Sequence, residues 1–196
     1  MTVPASDPFL LVGLGNPGRA YRANRHNAGF MALDRLARSI GTTFSRSQLD
    51  ALVTDGRLDG HKVILAKPQT YMNLVGRSVG ALSRYYRIPI SQLVVVCDDL
   101  DLPLGSLRLR PAGGTAGHKG MASILEHLGT PDFPRLRLGI GRPPGRMDPA
   151  DFVLQDFSAD ESTAVESMLD RAVECLSGTV VGGIQQAMTR FNTGAE

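Results

Sequence analysis

The first residue of this chain with the makings of a proton carrier is His26. It lies in Arg25-His26-Asn27-Ala28-Gly29, just ahead of an apolar helical stretch, after a loop that begins where a strand ends. In α/β sheets that edge is where ligands collect. An imidazole placed there can take a proton from a nucleophile near neutral pH. Asp98 closes the apolar run Leu93-Val94-Val95-Val96-Cys97, from which its carboxylate could bond His26, fix the tautomer and stabilise the protonated ring. A turn carboxylate at a strand end is an equal reading. Asn16 and Asn73 are neutral amides able to bind a carbonyl or hold a developing oxyanion, although loop and capping roles would also account for them.

Other chemistries are suggested and fit less well. Asp98, Asp99 and Asp101 could hold a cation, but no clustered histidines join them in the sequence. Gly13-Leu14-Gly15-Asn16-Pro17-Gly18 matches a dinucleotide-binding turn, yet Pro17 and a polar stretch intervene where a helix should open, and Asp34 falls inside a helix rather than at a strand end. Gly76-Arg77-Ser78-Val79-Gly80 matches a nucleophile elbow, but Ser78 lies a full turn inside a helix. Gly113 to Gly120 resembles a phosphate loop, with His118 and Gly120 at positions that loop gives to other residues; a phosphate-binding nest stays open there.

The elements that must position these groups follow from hydrophobic period. Phe9 to Leu14 is a buried strand, and Ala28 to Ile40 has helical spacing with Gly41 placed as a C-cap. Leu49 to Leu58 and His61 to Ala66 flank Asp59-Gly60, a hairpin signal. A second helix starts after Asn73, placed to cap it, and Leu93 to Cys97 is a further buried strand. Leu107 to Leu109 and Leu136 to Ile140 read as strands, His118 to Leu128 as a helix, and Ala159 to Asn192 as helix broken near Gly182-Gly183. Interleaved helices and apolar strands with one hairpin predict a single-domain, three-layer α/β/α fold around a twisted mixed sheet. The expected domain spans residues 9–192, with a disordered segment 1–8 and a short tail 193–196.

Net charge is only +2, and three cations, Lys62, Lys67 and Lys119, are lysine against a background of arginine, which suits phosphate contact. Arg108 and Arg110, like Arg135 and Arg137, are spaced to share a strand face. Cys97 and Cys175 suggest no disulfide framework, and neither a signal segment nor a membrane span is visible, so a cytoplasmic location is expected.

Five ordered stretches, Val12 to Gly18, Arg25 to Gly29, Thr70-Tyr71-Met72-Asn73-Leu74, Asp98 to Pro103 and Gly117-His118-Lys119-Gly120, together resemble bacterial peptidyl-tRNA hydrolase. The resemblance runs from about Phe9 to Gly141 and more loosely beyond. It implies a monomer that hydrolyses the ester between a peptide and the terminal ribose of tRNA, without metal or cofactor. It assigns His26 as the base and Asp98 as its partner. Asn16 would distinguish N-blocked from free aminoacyl groups, Tyr21, Tyr71 and Asn73 would touch the substrate end, and Arg110 and Arg137 would meet phosphates. A base with amide donors suffices for such a reaction without a serine nucleophile. One departure is Lys119, where the family usually has asparagine; an ammonium cannot accept a hydrogen bond, and near His26 it would lower the imidazole's pKa. An RNA-binding protein of the same fold with weakened catalysis is the alternative that Lys119 keeps open.

Overall fold

In a computed structural model that describes residues 7 to 192, these segments form seven strands and six helices. The strands are β1 (Phe9–Gly13), β2 (Arg46–Gln48), β3 (Ala51–Leu58), β4 (His61–Pro68), β5 (Leu93–Asp99), β6 (Leu107–Arg110) and β7 (Arg135–Gly139). The helices are α1 (Ala28–Ser39), α2 (Val75–Tyr85), α3 (Lys119–Leu128), α4 (Pro149–Val153), α5 (Ser162–Gly182) and α6 (Ile184–Phe191). The expected tail 193–196 lies outside the described residues, as does the expected disordered segment 1–8 except for Asp7 and Pro8.

The strands make one mixed sheet in the order β2-β3-β4-β1-β5-β7-β6. Its centre, β4-β1-β5-β7, is parallel, and its edges, β2-β3-β4 and β7-β6, are antiparallel. Helices α1, α5 and α6 cover one face, packing on Leu11, Leu65, Val94, Val96 and Leu136. Helices α2 and α3 cover the other, on Leu10, Val12, Ile64, Val95 and Cys97. Every residue of β5 is buried, as a strand covered on both faces requires. The chain leaves β1 toward the β2-β3-β4 edge and leaves β5 toward the β7-β6 edge, so the C-terminal ends of β1 and β5 flank a topological switch point. Both cysteines are free and buried, and burial pushes the Cys175 thiol up to about 12.

The hairpin forms at Asp59-Gly60, whose φ values of 46° and 87° are the left-handed pair that a two-residue turn needs. Elsewhere the expectations need correction. β3 starts at Ala51, because Leu49 and Asp50 take φ of 49° and 58° and turn the chain from β2, an edge strand with no apolar residue to announce it. Asn73 does not cap α2: it belongs to a 3-10 turn, Met72–Leu74, that runs into the helix, and no side chain caps it. The polar loop after β1 contains two more such turns, Arg19–Tyr21 and Arg25–Asn27. Asp148 caps the unforeseen α4 by accepting from the Ala150 N–H, with Pro149 at the first helical position. The break between α5 and α6 falls at Gly183 with φ 81°.

Candidate active site

Close backbone approach delivers His26 to its place. A Cβ on Gly29 would lie 2.4 Å from the Val96 carbonyl oxygen and 2.5 Å from the Leu14 nitrogen, and one on Gly13 would lie 2.4 Å from the Gly29 carbonyl. A Cβ on Gly15 would meet the Phe30 ring at 2.7 Å. Gly13, Gly15 and Gly29 therefore serve to seat the start of α1 on β1 and β5. The turn Arg25–Asn27, immediately before α1, is thereby held over the C-terminal end of β5.

There His26 Nδ1 lies 2.8 Å from Asp98 Oδ1, with the imidazole 12% and the carboxylate 3% exposed. A second imidazole reaches the same oxygen: His118 Nε2 is 3.1 Å from Asp98 Oδ1. His118 is the N-cap of α3, and its Nδ1 accepts from the backbone N–H groups of Gly120 and Met121 at 3.0 and 3.3 Å. A nitrogen that accepts carries no proton, so His118 is protonated at Nε2 and donates to Asp98. Burial alone would raise the Asp98 carboxyl, but the two imidazoles outweigh it and hold the group well below the usual carboxylate range. An ionised Asp98 accepts a hydrogen bond from His26 Nδ1–H, which leaves His26 Nε2 with a free lone pair.

A cleft of about 1070 Å³ opens over this pair. Asn16, Asn73, Lys119, Arg110 and Arg137 line it together with His26. Asn16 is fixed by a reciprocal pair in which Asn27 Oδ1 accepts from its N–H at 2.8 Å and Asn27 Nδ2 donates to its carbonyl at 3.0 Å. That clamp leaves the Asn16 side chain to the cleft. Tyr21 and Tyr71 are not among the lining residues; Tyr71 is 68% exposed beside the turn that carries Asn73.

β6 and β7 place Arg108 opposite Arg137 and Arg110 opposite Arg135, so the four guanidinium stems leave one face of the sheet edge while leucines pack the other. They do not act alike. Arg135 is 3% exposed and donates to the carbonyls of Gly113, Gly114 and Pro131, bracing the loop that walls the cleft, which removes it from any phosphate cradle. Arg137 Nε is ion-paired with Asp99 Oδ2. Arg110 lines the cleft with no ion pair among the described residues.

One feature escaped the sequence. Histidines do gather at Asp98, contrary to expectation: donor atoms of His26, Asp98 and His118 lie within 4.8 Å of one another. That spacing would suit a cation, but His118 Nε2 bears a proton for as long as its Nδ1 caps α3, so the set offers no second imidazole lone pair. The signal was present as a histidine just ahead of a helix, in the stretch compared with a phosphate loop. Ser78 is 1% exposed inside α2 and donates to the Leu49 carbonyl at 2.7 Å, which disposes of the elbow.

Residues 10–196 match the family model described as Peptidyl-tRNA hydrolase. The chain belongs to that family. It is 50% identical over 184 residues to the peptidyl-tRNA hydrolase of Desulforudis audaxviator, covering 94% of this chain and 93% of that one. It is 47% identical to the mitochondrial peptidyl-tRNA hydrolase of Oryza sativa subsp. japonica, over 96% of this chain and 76% of that one. A crystal structure of peptidyl-tRNA hydrolase from Acinetobacter baumannii superposes with a TM-score of 0.90 at 36% identity, over 98% of both chains. These relatives bear out the mixed-sheet α/β fold. No helix among the described residues is long and apolar enough to cross a membrane.

Proposed function

We propose that this chain hydrolyses the ester joining a peptide to the 3'-terminal ribose of tRNA, with His26 as the base that activates water. The observation that carries the mechanism is the 2.8 Å contact between His26 Nδ1 and the ionised Asp98, which turns Nε2 into the proton acceptor on a cleft wall. Water attacks the ester carbonyl as Nε2 takes its proton; Asp98 stabilises the imidazolium; the tetrahedral oxyanion collapses, and Nε2–H protonates the departing ribose oxygen. The tRNA leaves with its ribose hydroxyl, the peptide acid gives its remaining proton to solvent and leaves as the carboxylate, and the base is restored. The Asn16 and Asn73 amides supply donors to the acyl group and its oxyanion.

Around this centre, Tyr21, Tyr71 and Lys119 contact the peptidyl end, and Arg110 and Arg137 meet acceptor-stem phosphates. Lys119 brings a cation where the family usually has an amide. The reaction needs no metal or cofactor, and the protein acts as a cytoplasmic monomer. The test is release of peptide from peptidyl-tRNA by the parent and by His26→Ala. A loss of about three orders of magnitude or more in kcat for the variant is expected. Equal release by both proteins refutes the base, and no release by the parent identifies an RNA-binding protein that has lost turnover.

A further inference from the structure

The mechanism above uses one imidazole, yet two share Asp98 Oδ1. The His26 and His118 rings stand 4.9 Å apart at their centroids, tilted by 43°, and the His118 side chain is 9% exposed. His118 is tied at both nitrogens, with two backbone N–H donors at Nδ1 and the carboxylate at Nε2. Protonating Nδ1 would set one N–H against two others and place a cation at the positive end of α3. His118 is thus held as a neutral donor with its proton on Nε2.

We propose that His118 is a positioning residue that sets the working pH of His26 by donating a second, neutral hydrogen bond to the Asp98 oxygen on which His26 rests. An unshared buried carboxylate favours the imidazolium strongly; one whose oxygen already serves a fixed donor favours it less. Further charged groups surround His26. Arg25 on its own turn is paired with Glu161, and Asp99 from β5 with Arg137 from β7. Arg110 from β6, Lys119 from α3 and Asp148 ahead of α4 share the cleft.

This inference rests on His26 being the base, and the experiment separates the two. The pH dependence of kcat/KM is compared for the parent and His118→Asn, which keeps an oxygen to cap α3 but ends one bond short of Nε2. The acid limb of the variant is expected to move up by about 0.5 to 1 pH unit, a three- to tenfold loss below the limb with a smaller change on the plateau. A variant whose plateau falls while its limb stays put overturns the inference and leaves the base intact. A parent without an acid limb removes the base and the inference with it. Independently of any variant, ¹⁵N NMR of the parent is expected to show His118 with bare Nδ1 and protonated Nε2 between about pH 5.5 and 8.5. Titration of His118 in that range, or the opposite tautomer, overturns the proposal.

Discussion

Replacing Glu161 with glutamine weakens the anchor that holds the His26 turn, along with the bond that Glu161 Oε2 accepts from the Ser158 N–H. Arg25, the residue before His26, has a side chain 7% exposed, and it donates from both terminal nitrogens to Glu161 at 2.9 and 2.8 Å. Its guanidinium lies 4.4 Å from the Phe152 ring centroid and 4.9 Å from that of Phe157. The backbone is stitched alongside: Arg25 N donates to the Gln155 carbonyl at 2.9 Å, and Phe157 N to that of Ala23 at 3.3 Å. Breaking a fully buried pair costs about 3 to 5 kcal/mol; with Glu161 a quarter exposed and a glutamine oxygen left to accept, the expected loss is about 2 kcal/mol, or roughly 4 to 8 °C in Tm. Because the turn is shared, kcat/KM should fall about tenfold as His26 loses its place over Asp98. Thermal unfolding and initial rates on peptidyl-tRNA read both effects. The pair also has a pH signature. The Arg25 hydrogen bonds hold the Glu161 carboxyl below its ordinary 4.5, so its contribution is present above that value and lost as pH falls through the lower folded value. The gap between parent and variant should therefore close in acid. A variant melting within about 1 °C of the parent refutes the energetic argument, and one that is destabilised yet fully active refutes the link to His26.

Gly29→Ala should destabilise the fold by about 3 kcal/mol or more, since its Cβ has only backbone to displace; normal melting would show that α1 can move. Ser78→Ala should cost about 1 kcal/mol in stability and leave kcat within about twofold, the reverse of what a nucleophile would show. Arg110→Gln should weaken tRNA binding and reduce the slope of log affinity against log salt by about one; an unchanged slope would place Arg110 off the phosphate path.

The sheet was legible because β1, β4 and β5 are apolar runs between turn signals, and α1 and α2 repeat their apolar residues at helical period. β2 and α4 were not, because Arg46-Ser47-Gln48 has no apolar residue and is held by pairing with β3 and by polar contacts to Asp55 and Tyr86, and α4 is a single capped turn. In the site, His26 and Asp98 were found from their placement at a strand end and ahead of a helix. His118 was missed because its meaning lies in three partners, two of them backbone groups, that only the folded chain assembles. Arg135 and Arg137 looked alike from their spacing; what separates them is a loop carbonyl cluster over one and Asp99 beside the other.

The alternation of leucine and arginine along β6 and β7 also bears on strand register. A one-residue slip in their pairing would turn guanidinium groups into the leucine layer under α5 and α6 and bring leucines to the surface. Among the described residues that layer is apolar, so the mispaired sheet is penalised by far more than a lost hydrogen bond. Asn192 seals the correct pairing from outside, accepting from the Leu109 N–H at 2.8 Å and donating to the Leu109 carbonyl at 3.0 Å. The arginines of β6 and β7 thus also fix the register of this edge pair.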